Sequence, residues 1–277
     1  MDENKKIIRT GLIVLFVLIV AFAAYYFFTA GNEKTGAAPG STLPTQKLPE
    51  EAVGKEPKDV AALSVELERS DGPVRDLMAE LSSNPTFAQW IKSKDLIRKF
   101  AAAVDNIANG QSPRPQADFF IPAGKFKTVL KNGQTYLDPS SYSRYNVAAD
   151  VFDSLSTSGC ARLYASSRGL LRQAYRELGY PKEDFHQTLL RAIVEILKTP
   201  LVEEPIPLEM KVASYAIQDP KLEELSPAQK HLLRMGPENL QLIQAKLREV
   251  AVAIGFSEYQ LPKQTVYTPE IGKEKED

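Results

Sequence analysis

An uncharged, strongly apolar run near the N-terminus constrains this chain more than any other feature. No formal charge falls between Thr10 and Asn32, and the run contains the string LIVLFVLIVAFAAYYFF. Because a helix rises about 1.5 Å per residue, a run of this length crosses a hydrocarbon core of about 30 Å. We therefore predict a transmembrane helix over residues 10–31.

The charges that flank this run predict its orientation. Lys5, Lys6 and Arg9 precede the run, whereas the first two charges after it, Glu33 and Lys34, cancel. Positive residues beside a transmembrane helix favour the cytoplasmic side. We therefore expect the N-terminus in the cytoplasm and the chain beyond the helix on the opposite side of the membrane.

A cleaved signal peptide is the competing interpretation of this segment. Ala21 and Ala23 could form the small-residue cleavage site that such peptides carry. The apolar run nevertheless continues past these alanines into the aromatic residues at 25–28, which fit the aromatic belt of a membrane interface. A retained transmembrane helix therefore explains the segment better.

The rest of the chain divides by composition. Residues 32–62 are rich in Gly, Pro, Lys and Glu and poor in large apolar side chains, so they cannot bury enough surface to fold. We predict a flexible linker there, a mainly helical soluble domain over 63–261 and a charged flexible tail over 262–277. With residues 1–9 in the cytoplasm, this organisation tethers one soluble domain to a membrane.

Apolar residues recur at helical spacing through most of the predicted domain. Asp71-Gly-Pro73 and Asn84-Pro85 predict helix starts, because a capping residue followed by proline favours the first helical turn. Further helices are predicted from four apolar faces. These are Leu96, Ile97, Phe100, Val104 and Ile107; Val147, Val151 and Leu155; Leu163, Ser167, Leu171, Ala174 and Leu178; and Phe185, Leu189, Ile193 and Ile196.

One segment departs from the helical pattern. Residues 126–138 read FKTVLKNGQTYLD, with β-branched and aromatic residues on both sides of Asn132-Gly133, a pair typical of two-residue hairpin turns. We expect VASYAI at 212–217 to pair with this hairpin and PLVEEPIPLE at 200–209 to be an extended connection. The predicted fold class is mainly α: a single-pass N-terminal transmembrane helix plus a helical globular domain with a small β-hairpin element.

The densest local signals lie in residues 219–239, DPKLEELSPAQKHLLRMGPEN, which we call the corner. Asp219-Pro220 and Ser226-Pro227 each place a capping oxygen before a proline at the first helical position. Gln229 completes a capping box with Ser226. Gly236-Pro237 predicts a sharp turn into a further amphipathic helix, so the corner is expected to be a helix, a turn and a helix.

The corner also carries four candidate binding residues. Lys230 and Arg234 stand one turn apart on the predicted helix, and Glu238 and Asn239 open the next one. We expect a polar groove around these side chains.

Arg144 and Tyr145, in the string YSRY at 142–145, are two further candidates. An arginine between two tyrosines could grip a carboxylate or a phosphate group. The alternative is that it stacks on its neighbours and bonds structural carbonyls. The sequence leaves both interpretations open.

Motifs for catalysis or metal binding are not recognisable. Cys160 is the single cysteine and is expected to be a packing residue. Asp184 and His186 stand two apart on a predicted helix, so they do not face each other as a metal clamp would. We predict no catalytic residue, no metal site and no cofactor, and the net charge of −1 gives no indication of nucleic-acid binding.

Several strings resemble one bacterial family in the same order along the chain. They are VDNIANG at 104–110, YSRY, AYRELGYP at 174–181, ILKTP at 196–200 and the corner itself. Over roughly residues 70–255 the chain resembles the single-pass membrane proteins known as domain of unknown function 3014. The resemblance implies a proteobacterial envelope protein with an N-terminal anchor. Together with the predicted orientation, this leads us to expect the anchor in the inner membrane and the soluble domain in the periplasm. It implies no assigned activity, and no catalytic residue carries over.

Three functional hypotheses follow. The favoured one is a binding or scaffolding module of the cell envelope that presents the corner groove to an envelope protein or a wall polymer. A second is an envelope hydrolase or transferase whose site combines Asp105, Arg144, Tyr145 and the corner. In the third, these polar residues are structural and hold the helices together.

Overall fold

The computed structural model describes residues 60–113, 122, 124–182, 184–212 and 214–269. The predicted transmembrane helix at 10–31 and nearly all of the predicted linker lie outside the described residues. Within the described ranges, no helix is both long enough and apolar enough to cross a membrane.

Helices dominate the described residues, which confirms the mainly α prediction. Asn84 accepts a hydrogen bond from the Thr86 N–H at 2.9 Å, so the helix start predicted at Asn84-Pro85 is confirmed. The helices are α1 (Asp71–Ala79), α2 (Pro85–Trp90), α3 (Leu96–Ala108), α4 (Asn146–Asp153), α5 (Thr157–Glu177), α6 (Phe185–Leu197), α7 (Pro220–Glu223), α8 (Pro227–Leu233) and α9 (Pro237–Ala253).

The largest core cluster joins α1, α3, α5, α6 and α9. Ala101 on α3 and Ala251 on α9 are completely buried, and their small side chains suit closely packed helices. Three predicted core residues, Phe100, Val147 and Leu178, are instead exposed. Phe100 is 46% exposed because α3 buries its Ile97, Ala101 and Val104 face. Val147 is 51% exposed because α4 buries Ala148, Ala149 and Val151 instead.

The predicted hairpin is confirmed as part of a larger sheet. Asn132 (φ 49°) and Gly133 (φ 78°) form its turn, and both have the positive φ that a type I′ turn requires. The four antiparallel strands, in the spatial order β1-β2-β3-β4, are β1 (Thr128–Lys131), β2 (Gln134–Leu137), β3 (Pro207–Met210) and β4 (Tyr215–Ile217).

The prediction was wrong about β3, which lies within the segment expected to be an extended connection. As a result, β4 pairs with β3 and not with the hairpin, with Leu208 opposite Ile217. Proline argued against a strand here, but Pro207 is the first residue of β3, a position where its missing N–H is tolerated. Its carbonyl accepts a hydrogen bond from the Gln218 N–H at 2.9 Å.

The sheet positions the corner. A second apolar cluster combines Leu137 and Leu208 of the sheet with Leu222 of α7 and Leu233 of α8. The segment that follows α9 also contacts this region, since the Tyr267 N–H donates to the Leu201 carbonyl at 2.8 Å. The first part of the predicted flexible tail, residues 262–269, therefore contacts the domain.

Candidate functional site

The two helix starts of the corner form as predicted. The Asp219 carboxylate is buried and accepts from the Leu222 N–H at 3.1 Å and from the Tyr267 hydroxyl at 2.9 Å. Ser226 and Gln229 form the complete capping box, with reciprocal hydrogen bonds of 3.1 and 3.2 Å. These carboxylate, hydroxyl and amide groups all bind partners inside the protein.

Gly236 makes the turn between α8 and α9. Its φ of 84° and ψ of 159° are a combination that residues with a Cβ rarely adopt. A Cβ at this position would overlap the ring of Tyr142. The corner therefore packs directly against the YSRY segment, although the two are far apart in sequence.

Asn239 stabilises the contact between the corner and the YSRY segment. Its side chain is 6% exposed, and its Nδ2 donates to the Tyr142 carbonyl at 3.1 Å, to Asn146 Oδ1 at 3.0 Å and to the Met235 carbonyl at 2.8 Å. The structure thus brings Asn239 close to the segment that carries Arg144 and Tyr145. Its amide group, however, serves the packing of α9 against that segment.

Arg144 and Tyr145 also contact their surroundings in the protein. The Arg144 Nε donates to the Ser141 carbonyl at 3.0 Å, and its guanidinium lies 5.2 Å from the centre of the Tyr145 ring and 6.0 Å from that of Phe126. Tyr145 is 4% exposed, and its ring lies edge-on to His231 at 6.2 Å. These contacts match the alternative in which the arginine stacks on neighbours and bonds a structural carbonyl.

The remaining three candidates differ in exposure. The Lys230 ammonium donates to the Glu223 carbonyl at 2.9 Å and to Glu223 Oε1 at 3.0 Å. Although partial burial acts in the opposite direction, hydrogen bonds from the Ile217 N–H and Lys230 hold the pKa of Glu223 below its ordinary value. Arg234 and Glu238 are exposed, whereas the other four candidates are buried or half-buried.

Asp105, part of the hydrolase hypothesis, binds a different set of side chains. Its two carboxylate oxygens accept from the Tyr175 and Tyr180 hydroxyls, each at 3.4 Å, and these two rings stack at 4.8 Å. Asn109 adds a bond of 3.2 Å to Asp105 Oδ1. Asp105 thus joins α3 to α5, whereas Tyr145 contacts His231 of the corner, and Arg144 contacts Ser141, Tyr145 and Phe126.

A cleft that the sequence did not indicate lies between α5 and the start of α6. Its volume is about 280 Å³. The lining side chains are those of Tyr164, Arg168, Arg172, Asp184, Phe185 and His186. All six belong to α5, to α6 or to the capping position before α6.

Helix geometry places the charged groups of the cleft. Arg168 and Arg172 are four residues apart on α5 and therefore share one face of that helix. Asp184 caps α6, and its Oδ1 accepts from the His186 N–H at 3.0 Å. Asp184 thus contacts His186 through the backbone N–H of His186.

Aromatic contacts fix the floor of the cleft. His186 stacks on Phe256 with ring centres 4.3 Å apart, and its Nδ1 lies 2.7 Å from the Tyr164 hydroxyl. The Arg168 guanidinium lies 5.3 Å from the centre of the Tyr164 ring. Packing thus holds Tyr164, His186 and Arg168 in defined positions beside the space they enclose.

The signal for this cleft was present but weak. A pair of arginines at i and i+4 predicts a shared helix face, yet most such pairs lie on ordinary solvated surfaces. The sequence pattern does not predict that this face of α5 packs against the start of α6. Only the packing of the two helices brings Arg172 and His186 to one cleft.

Two other kinds of chemistry, thiol reactivity and metal binding, depend on residue types that the described ranges contain. Cys160 is partly buried, and burial raises the pKa of its thiol, which disfavours the reactive thiolate. In the described ranges, no three His, Cys, Asp or Glu side chains come together as a group able to hold a metal ion.

Comparison with known proteins identifies the family. The family model described as protein of unknown function (DUF3014) matches residues 96–251, which is more than half of the chain and includes both the corner and the cleft. Neither the curated proteins nor the solved structures gave a match. The extent of the family match shows that this chain belongs to the DUF3014 family of proteins of unknown function.

Proposed function

We propose that this protein is a membrane-anchored binding module of the bacterial cell envelope, and that the cleft between α5 and α6 holds its ligand. The observation that carries the proposal is the cleft itself, a space of about 280 Å³ with charged and aromatic side chains on its walls. Binding sites are typically concave and combine apolar walls with a few polar groups.

The contrast with the corner supports this choice of site. Asn239, Tyr145 and Asp219 are buried, and Lys230 is tied to Glu223. Arg172 in the cleft is exposed. A ligand at the cleft would therefore meet a side chain that is available to it.

The anchoring part of the proposal rests on the uncharged run at residues 10–31. In this arrangement the N-terminus is cytoplasmic, residues 32–62 form the tether, and the domain faces the periplasm. The ligand would belong to an envelope protein or to a wall polymer. A dual-reporter fusion after residue 262 tests the topology, and activity of the reporter that works only in the cytoplasm would contradict it.

Crosslinking in living cells tests the site. A photoreactive amino acid replaces Gln187, an exposed residue beside the cleft, or Glu238 at the corner, in the full-length protein. We expect a defined adduct from position 187 that is lost in Arg172→Gln. Arg176→Gln is the matched control, because Arg176 is exposed on the same helix but does not line the cleft.

Two outcomes of the crosslinking experiment would contradict the proposal. An adduct from position 238 alone would indicate that the ligand binds near Arg234 and Glu238 at the corner and not at the cleft. An adduct from position 187 that persists in Arg172→Gln would show contact near the cleft without recognition by it.

A further inference from the structure

Among the described residues that line the cleft, positive charges outnumber negative ones. Arg168 and Arg172 contribute two guanidinium groups, whereas Asp184 contributes one carboxylate. That carboxylate already accepts a hydrogen bond from the His186 N–H at the start of α6. The start of the helix is thus occupied by a side chain of the protein, and the exposed Arg172 is a charged group that a ligand would meet.

Arg168 is held in place by its aromatic neighbour. Its guanidinium lies 5.3 Å from the centre of the Tyr164 ring, and Arg168 is half-buried. Tyr164 is itself buried and within hydrogen-bond distance of His186. Stacking on an aromatic face reduces the freedom of the guanidinium, so less entropy is lost when it binds a ligand.

Arg172 lies one turn along α5 from Arg168, and it is exposed. Within the described residues, no hydrogen bond or ion pair joins its guanidinium to another side chain. Arg172 therefore presents several N–H donors to the cleft, on the same helix face as the stacked Arg168. The planar donor fork of arginine matches the geometry of carboxylate and phosphate groups.

We infer that the cleft binds an oxyanion, a carboxylate or phosphate group of the ligand, through Arg168 and Arg172. This inference rests on the function proposed above and gives the chemistry of its ligand. The exposed guanidinium of Arg172 binds the oxyanion directly. The guanidinium of Arg168, held against the Tyr164 ring, lies beside it as a second positive group.

The two histidines of the chain provide a direct test. His186 lies in the cleft, whereas His231 lies beside Tyr145 near the corner, so histidine-selective NMR reports both places in one sample. The full-length protein in a neutral detergent is titrated with sodium phosphate or sodium acetate, in a buffer without oxyanions. The pH stays fixed, and sodium chloride keeps the ionic strength constant.

We expect the His186 signal to shift and saturate while the His231 signal stays in place. Arg172→Gln should weaken the apparent affinity by about tenfold or more, the usual loss for a hydrogen bond between charged groups. Arg176→Gln should behave as the unmodified protein. A response to phosphate alone or to acetate alone would support the inference and identify which oxyanion the cleft selects.

Three results would overturn the inference: a His186 signal that responds to neither anion, equal shifts of both histidines, or an affinity unchanged in Arg172→Gln. The crosslinking experiment separates this failure from failure of the proposed function. If the adduct from position 187 depends on Arg172 but neither anion moves His186, the binding function stands and the oxyanion chemistry is wrong.

Discussion

The corner and the cleft use polar side chains in opposite ways. At the corner, Asp219, Ser226 and Asn239 bind partners within the protein, and most of these groups are buried. At the cleft, Arg172 is exposed beside open space. A dense set of local signals therefore marks the place where the chain must turn, and among the candidate residues there only Arg234 and Glu238 are exposed.

The physical reason lies in the cost of burial. A buried polar group without a partner costs about 1–3 kcal/mol, so every such group at a packed corner needs a hydrogen bond. An exposed arginine is solvated by water and can exchange that water for a ligand. Changes at the corner should consequently affect stability, and changes at the cleft should affect binding.

Gly236→Ala should have the largest effect on stability. The new Cβ would overlap the Tyr142 ring, in a backbone conformation that alanine rarely adopts. We expect a loss of about 3 kcal/mol or more in the free energy of unfolding, measured by chemical denaturation of the full-length protein in neutral detergent.

Gly169→Ala is the matched control for this change. No heavy atom lies within 4 Å of a Cβ built at Gly169, which is inside α5. Alanine there should raise the free energy of unfolding by up to about 1 kcal/mol. If both substitutions had similar effects, the close contact between the corner and Tyr142 would be wrong.

Asn239→Ala should have the next largest effect. The substitution leaves the Tyr142 carbonyl and Asn146 Oδ1 without the donor that now serves them. We expect a loss of about 2–3 kcal/mol in the free energy of unfolding. Glu238→Ala, an exposed neighbour, should change it by less than about 0.5 kcal/mol. If both variants lost the same free energy of unfolding, the hydrogen bonds of Asn239 would not stabilise the corner.

Tyr142 should make the corner sensitive to high pH. Burial raises its pKa from 10.0 to about 12, because the charged phenolate is poorly solvated there. The stabilisation from keeping this phenol neutral is complete below pH 10 and is lost as the pH rises toward about 12. Tyr142→Phe should lose less stability over that range, measured by thermal unfolding at each pH. An identical pH dependence in the two proteins would contradict the burial of this hydroxyl.

Arg172→Gln and Arg234→Ala should have the smallest effects on stability. Both arginines are exposed, so each change should alter the free energy of unfolding by less than about 0.5 kcal/mol. Only the first should change the response of His186 to oxyanions. A large loss of stability in Arg172→Gln would mean that this residue holds α5 in place and that the cleft is structural like the corner.

Where the sequence succeeded, the signals were local. Asn84, Asp219 and Ser226 cap the helices that they were expected to start, and Asn132-Gly133 forms the hairpin turn. A cap and the N–H that it binds lie within three residues of each other, so their pairing needs no knowledge of the rest of the fold. The transmembrane helix at 10–31 stays a prediction, since it lies outside the described residues.

Where the sequence failed, the partners came from elsewhere in the chain. The helix predicted at Asp71-Gly-Pro73 does begin at Asp71, but Ser70 is its capping residue. The Asp71 carboxylate instead accepts from the N–H groups of Asp95 and Leu96, at 2.8 and 2.9 Å. Phe100 and Val147 fit apolar periodicity, yet helix packing selected other faces. The strand β3 became visible only through its neighbours β2 and β4.

The sequence by itself determined where helices begin and where the chain turns, because those choices depend on hydrogen bonds and φ angles within a few residues. Only the tertiary structure decided which polar groups remain open to solvent. The side-chain amide of Asn239 donates a hydrogen bond to the carbonyl of Tyr142, which lies 97 residues earlier in the chain. Arg172 gains a cleft because the start of α6 packs beside its helix. Contacts at such separations depend on how the whole core packs, which no short stretch of sequence encodes.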